Sequence, residues 1–192
     1  MSLTSFLSFN PKKHIIFDLD ETLAMLITDW ESMLNHIYAD LLKIDKEVVS
    51  VYTPSTMSYQ LFNDLIKKHG QTVKKLLESH YQKAEGEDMK EVMSNPELIN
   101  FVKNNSNYNY YIWSNNLRTT ITKVLNSAGI IDKFTMIFAA DDNLFYKPDT
   151  SGVEKILTGD KNGWLMIGDG ENDRLGATAL GIDFFLVDFF KK

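Results

Sequence analysis

The sequence predicts an α/β fold: a doubly wound parallel sheet, helices on both faces, with an all-helical insert after the first strand. Three observations lead there. From residue 95 onward, short apolar runs alternate with stretches of helical periodicity, the pattern of a parallel sheet wound by crossover helices. Residues 25–92 break that alternation, being helical in period with no convincing strand. Hydrophobic residues make up 44% of 192, enough for one large domain or for a core carrying a smaller insert.

The first strand is expected at 13–17, an apolar run that ends in acids. A helix over 27–44 comes next, with Trp30, Met33, Leu34, Ile37, Tyr38 and Leu41 at helical spacing and Thr28 and Glu31 as a capping box. After a break at Pro54, a second helix covers 56–69 and stops at Gly70, and a third runs over 71–83. Residues 85–88 are polar, contain Gly86 and read as a hinge or loop. Asn95 and Pro96 open the next helix as N-cap and first helical residue. Strands are then expected at 108–113, 134–139, 164–167 and 183–187. Helices are expected at 117–127, 151–157 and 172–180, the first ending before Gly129 and the last at Gly181. The apolar run 184–190 reads as a buried strand and its exit.

The net charge is −6, which argues against a nucleic-acid surface, since that usually needs a basic stripe. It leaves phosphorylated ligands open, because a metal and one lysine supply local positive charge. There are no cysteines, so disulfides, thiolate nucleophiles and cysteine metal sites are excluded, and the composition fits a cytoplasmic protein. Residues 1–10 lack a basic n-region and make a poor signal peptide. No apolar run approaches the ~18 residues of a membrane span. The oligomeric state is not legible.

The chemistry gathers at strand ends, where open α/β sheets place their ligands. Asp18 and Asp20 leave the first strand two residues apart. Like charges so close are relieved by a shared proton or a bound cation. Ser114 and Asn115 end the run from Tyr110 to Trp113, Lys147-Pro148-Asp149 puts a cation in a stiff turn, and Asp169 and Asp173 come after the run from Trp164 to Ile167. Single acids at such positions also serve as turn formers, and Asp173 suits the first turn of a helix.

Taken in order, acid pair, hydroxyl, lysine and acid pair, these segments resemble the haloacid dehalogenase-like hydrolases, which are mostly phosphatases. The resemblance spans residues 14–173. It implies a Rossmann-like sheet of order 5-4-1-2-3, counting core strands, which sets the ends of strands one, two and four side by side. It also implies a catalytic core of residues 1–24 and 93–192 and a helical cap of residues 25–92. The implied activity is Mg²⁺-dependent hydrolysis of a small phosphorylated metabolite. Asp18 is then the nucleophile that forms an aspartyl phosphate. Asp20 is the acid and base for leaving group and water, and Thr22 fixes the loop. Ser114 and the Asn115 backbone N–H hold phosphoryl oxygens, and Lys147 pairs with nucleophile and phosphate. The metal falls to Asp18, Asp169, Asp173 and the backbone carbonyl of Asp20.

Dehalogenases of the family lack the second acid of the first motif, and Asp20 is present here. Phosphonate hydrolysis needs a cap lysine, and no motif supports Lys43 or Lys46. A phosphomutase on the same core and a non-catalytic binder of phosphorylated ligands remain as alternatives. Outside the motifs, Lys67, Lys68, Lys74 and Lys75 read as a solvated face. Arg118 reads as helix surface, and the histidines show no metal-ligand spacing. If the insert reads the substrate, Trp30, His36, Tyr38 and Tyr59 are the side chains to test, although His36 reads first as a structural or solvated residue.

Overall fold

The computed structural model describes residues 2–191; Met1 and Lys192 fall outside. The chain opens with a helix the sequence did not suggest, α1 (Leu3–Phe9), capped by Ser2 and burying Leu3 and Leu7. The sheet is parallel and has five strands: β1 (His14–Phe17), β4 (Asn109–Trp113), β5 (Phe134–Phe138), β6 (Trp164–Gly168) and β7 (Asp183–Leu186). Their spatial order is β5-β4-β1-β6-β7, which counted along the core is the expected 5-4-1-2-3.

Beyond their first residues, His14 of β1 and Asn109 of β4, the three inner strands are buried because both faces are covered. Ile15 and Phe17 point to the face packed by α1, α6 (Pro96–Asn104) and α7 (Arg118–Ser127). Ile16, one residue out of phase, points to the other face with Trp113, Trp164 and Met166, where Ala177 and Leu180 of α8 (Glu171–Leu180) pack. The edge strands are only half covered. Phe184 and Phe185 of β7 are partly exposed and Leu186 is exposed, so the terminal apolar run is an edge rather than a fully buried strand. The stretch expected to be helical over 151–157 forms only a short 3-10 turn at Glu154–Ile156.

Between β1 and β4 lie α2 (Trp30–Ile44), α3 (Lys46–Val49), α4 (Tyr59–His69) and α5 (Gln71–Gln82). Their apolar stripes meet in a cluster built on Ile37, Leu41, Leu65, Ile66, Val73 and Leu77, which Leu117, Ala140 and Tyr146 join from beside the sheet. The cap of α2 is Asp29, whose carboxylate accepts the Ser32 N–H, and Thr28 instead donates to the Ala84 carbonyl at 2.8 Å. Lys74 is 3% exposed, not solvated: its ammonium donates to the Ala140 carbonyl at 2.8 Å and lies 3.9 Å from the Tyr146 ring centre. The segment expected as a hinge is a π-helical turn at Lys83–Glu87.

Two short strands bracket these helices, β2 (Ala24–Ile27) and β3 (Glu91–Ser94), paired antiparallel from Ala24 with Ser94 to Ile27 with Glu91. This ribbon stands apart from the main sheet and ties the outgoing chain to the returning one.

Candidate active site

The carboxyl ends of β1, β4 and β6 are adjacent, so the loops leaving these strands converge. The loop after β1 starts with Asp18, whose N–H continues the ladder to the Ile167 carbonyl at 2.9 Å. Asp18 is buried and aimed at Lys147; its carboxylate accepts from the ammonium at 2.6 Å. Asp20 faces elsewhere, accepting the backbone N–H groups of Leu26 at 2.8 Å and Glu21 at 3.2 Å. Burial pushes the Asp20 carboxyl up to about 7, with the nearby Asp18 charge adding to the rise and the Leu26 N–H opposing it. Burial also raises Asp18, while Lys147 pulls it back toward the charged form.

Glu21 adopts a left-handed backbone, φ 53°, the sharp turn that lets the chain double back after the acid pair. The Thr22 hydroxyl, deep in that turn, has no hydrogen-bond partner among the described residues. The turn is instead pinned by Asn95, which donates to the Thr22 carbonyl at 3.0 Å while capping α6 through the Leu98 N–H.

Lys147 is the hub. Its ammonium, 3% exposed, bridges Asp18 and Asp173, each at 2.6 Å. Burial opposes the lysine charge, but Asp173 and Asp18 outweigh it and hold the group above its ordinary range. Its backbone is gripped by Asn115, which accepts the Lys147 N–H at 2.7 Å and donates to its carbonyl at 3.4 Å. One residue back, Asn63 of α4 does the same to Tyr146.

Asp169 and Asp173 lie beyond the end of β6. The Asp173 carboxylate also accepts the Gly170 N–H at 3.2 Å, closing the first turn of α8. A Cβ on Gly168 would lie 2.4 Å from that carboxylate, so only glycine lets Asp173 fold back over the strand end. Asp169 pairs with Lys191 at 2.9 Å and shares a hydrogen bond with Glu21, whose carboxyl is raised by burial and by that contact. One oxygen each from Asp18, Asp169 and Asp173 lie within 4.8 Å of one another. Hard oxygen donors in this grouping suit Mg²⁺ or a similar cation. The Asp20 side chain is not in that group.

Ser114 begins the loop after β4. Its hydroxyl donates to Asn116 Oδ1 at 2.7 Å and accepts the Asn116 N–H at 3.3 Å. This loop leans on Glu85, a residue outside every sequence motif. Glu85, in the π-helical turn and 2% exposed, accepts the Asn116 amide and the Leu117 N–H, both at 3.0 Å. Burial raises its carboxyl, against the pull of Thr120, Asn116 and Leu117. Nothing in the local sequence marks Glu85, since its partners lie in a distant segment.

Above these groups is a cavity of about 500 Å³. It is lined by Asp18, Asp20, Ser114, Asn115, Lys147, Asp169 and Asp173 below and by the insert helices above. Trp30 and Tyr59 reach it. His36 is exposed, bonded to the Ser32 carbonyl and stacked near His80, and neither it nor Tyr38 lines the cavity. Arg118 is a surface residue, paired with Asp142.

A family model described as haloacid dehalogenase-like hydrolase matches residues 15–187. No curated protein matches the chain. Among solved structures, a haloacid dehalogenase-like hydrolase from Bacteroides fragilis aligns at 20% identity and TM-score 0.61, over 90% of this chain and 86% of that one. A protein named as a phosphoglycolate phosphatase from Lactobacillus plantarum aligns at 20% identity and TM-score 0.53, over 92% and 86%. The hydrolase YfnB from Bacillus subtilis, solved with magnesium, aligns at 17% identity and TM-score 0.53, over 94% and 91%. At these identities the structures speak for the fold.

Proposed function

The chain belongs to the haloacid dehalogenase-like hydrolases, and within that family we propose that it is a Mg²⁺-dependent phosphatase of a small phosphomonoester, working through an aspartyl phosphate on Asp18. The observation that carries this reading is the split between the two acids of the first loop. Asp18 faces an ammonium at 2.6 Å, whereas Asp20 is turned onto backbone N–H groups. Burial raises both carboxyls, and it is their partners that set them apart: the ammonium beside Asp18 favours the anion that attacks, and Asp20, turned away from it, is left to carry a proton.

On this reading an Asp18 oxygen attacks phosphorus in line, and the bond from phosphorus to the leaving oxygen breaks. Asp20 gives its proton to that oxygen. Asp20, now a carboxylate, takes a proton from water, whose oxygen attacks phosphorus and frees Asp18 with release of phosphate. Ser114 and the Asn115 N–H hold phosphoryl oxygens, and Lys147 neutralises charge on them while keeping Asp18 aimed. Asp18, Asp169 and Asp173, with the Asp20 carbonyl, are the groups that would hold Mg²⁺. When bound, the ion supplies further positive charge to the phosphoryl oxygens. The oxygen-only donor set supports this, as does the magnesium in the Bacillus subtilis structure.

We read residues 25–92 as a cap over a core of residues 1–24 and 93–192. An apolar cluster made mostly of insert residues, joined by Leu117, Ala140 and Tyr146 of the core, and the insert's place as the upper wall of the cavity support that division. The cysteine-free composition fits a cytoplasmic setting. The test is phosphate release from p-nitrophenyl phosphate with and without Mg²⁺, with the acyl phosphate trapped by hydroxylamine. Turnover that needs Mg²⁺ and yields an Asp18 hydroxamate is the expected result. Equal turnover in excess chelator refutes the reading.

A further inference from the structure

The cavity has two walls of opposite chemistry. The lower one is rich in acids, and Lys147 is its only lysine, arginine or histidine among the described lining residues. That ammonium is committed to Asp18 and Asp173. The upper wall is formed by Trp30, Met33, Leu34, Met57 and Phe62 and carries no charge. Its polar groups are hydroxyls and the indole N–H of Trp30. Tyr81 donates to Tyr59 at 2.9 Å, which leaves the Tyr59 proton available to a ligand.

We propose that the leaving group is an uncharged, largely apolar alcohol, alkyl or aromatic, with at most one neutral oxygen placed beside Tyr59. The proposal rests on the phosphatase reading above and adds the substrate class. A carboxylate or second phosphate set against this wall would lose its hydration with no cation to replace it. An apolar group would gain from the same desolvation, in proportion to the area it buries. A cationic alcohol fits less well. The rings pack on one another, Trp30 to Tyr81 at 6.4 Å and Tyr59 to Phe62 at 5.9 Å between centroids, rather than around a gap that an ammonium could fill. The volume, about 500 Å³, takes a phosphate with a ring or short alkyl chain attached.

The experiment compares esters of primary alcohols with similar intrinsic reactivity: benzyl phosphate, hexyl phosphate, phosphoglycolate and phosphocholine. p-Nitrophenyl phosphate serves as a control for the chemistry alone. Benzyl and hexyl phosphate should exceed both charged esters by at least about tenfold in kcat/KM, mainly through KM, as expected for a pocket that selects by apolar contact. Met57→Lys and Leu34→Lys, each checked for folding by circular dichroism, should narrow or reverse the gap for phosphoglycolate. Benzylphosphonate, which cannot be hydrolysed, should bind more tightly than phosphonoacetate by calorimetry. If p-nitrophenyl phosphate is turned over but a charged ester equals or beats benzyl phosphate, the substrate class is wrong and the phosphatase reading stands. If no ester is turned over, the phosphatase reading fails, and equal binding of the two phosphonates shows that the wall does not select.

Discussion

Asn63 completes the hydrogen bonding of Tyr146 as a neighbouring strand would, accepting its N–H and donating to its carbonyl, each at 2.9 Å. Both groups are buried, so Asn63→Ala strands a donor and an acceptor away from water. The loss should be about 2–4 kcal/mol, read as a lower urea midpoint with an unchanged slope. Lys147 comes directly after Tyr146, so turnover should drop as well. A change under about 0.5 kcal/mol would show that Tyr146 finds other partners.

Asp18→Asn keeps the shape of the side chain and removes the attacking charge. Phosphate release should fall by on the order of 10⁴–10⁶-fold, while Lys147 keeps its Asp173 partner and the fold survives. A variant that kept more than about a tenth of the rate would not have lost its nucleophile.

Asp169→Ala removes one of three clustered carboxylates. Mg²⁺ affinity, measured by calorimetry on the chelator-stripped protein, should weaken by at least about tenfold, or roughly 1.4 kcal/mol. Asp173→Ala should weaken it less. It should cost more stability instead, because Lys147 then keeps a single carboxylate in a buried place. Unaltered Mg²⁺ binding in Asp169→Ala would remove that residue from the ion's ligands.

Glu85 gives a pH signature. Its folded carboxyl is raised above the ordinary 4.5, chiefly by burial, so the folded state holds the proton more tightly than the unfolded chain does. The resulting stabilisation is complete below about 4.5 and is lost as pH rises through the raised folded value. Glu85→Gln lacks this component. The wild type's advantage over the variant should therefore be largest in acid and shrink toward neutrality, as measured by urea unfolding across that range. A difference that grows with pH would mean the carboxylate is favoured in the folded state.

The sheet and the acids were legible because they obey local rules: apolar runs of strand length, each ending in polar groups where a parallel sheet gathers its strand ends. The features that were not legible depend on partners far away in sequence. Lys74 looks solvated beside Lys75, and only the Tyr146 ring and the Ala140 carbonyl make it a buried cation. Glu85 sits in a polar, glycine-containing stretch and acquires its role from Asn116 and Leu117. β3 could not be seen because Glu91, Met93 and Ser94 are exposed and no apolar alternation marks the strand; its pairing with β2 alone defines it. At α2, Asp29 displaced the expected cap by one residue, since Thr28 is drawn to Ala84.

That β2–β3 pairing has an architectural consequence. Ile27 and Glu91 face each other across the ribbon, so the chain leaves and re-enters at points about 5 Å apart, as at the mouth of a hairpin. For loop closure alone, the segment between them counts as a tight turn, because that entropy is settled at the ribbon and grows only slowly with the length enclosed. The ribbon is a splice point with a condition attached: a smaller graft there must replace the partners that Asn63 gives Tyr146, Lys74 gives Ala140 and Glu85 gives Asn116 and Leu117.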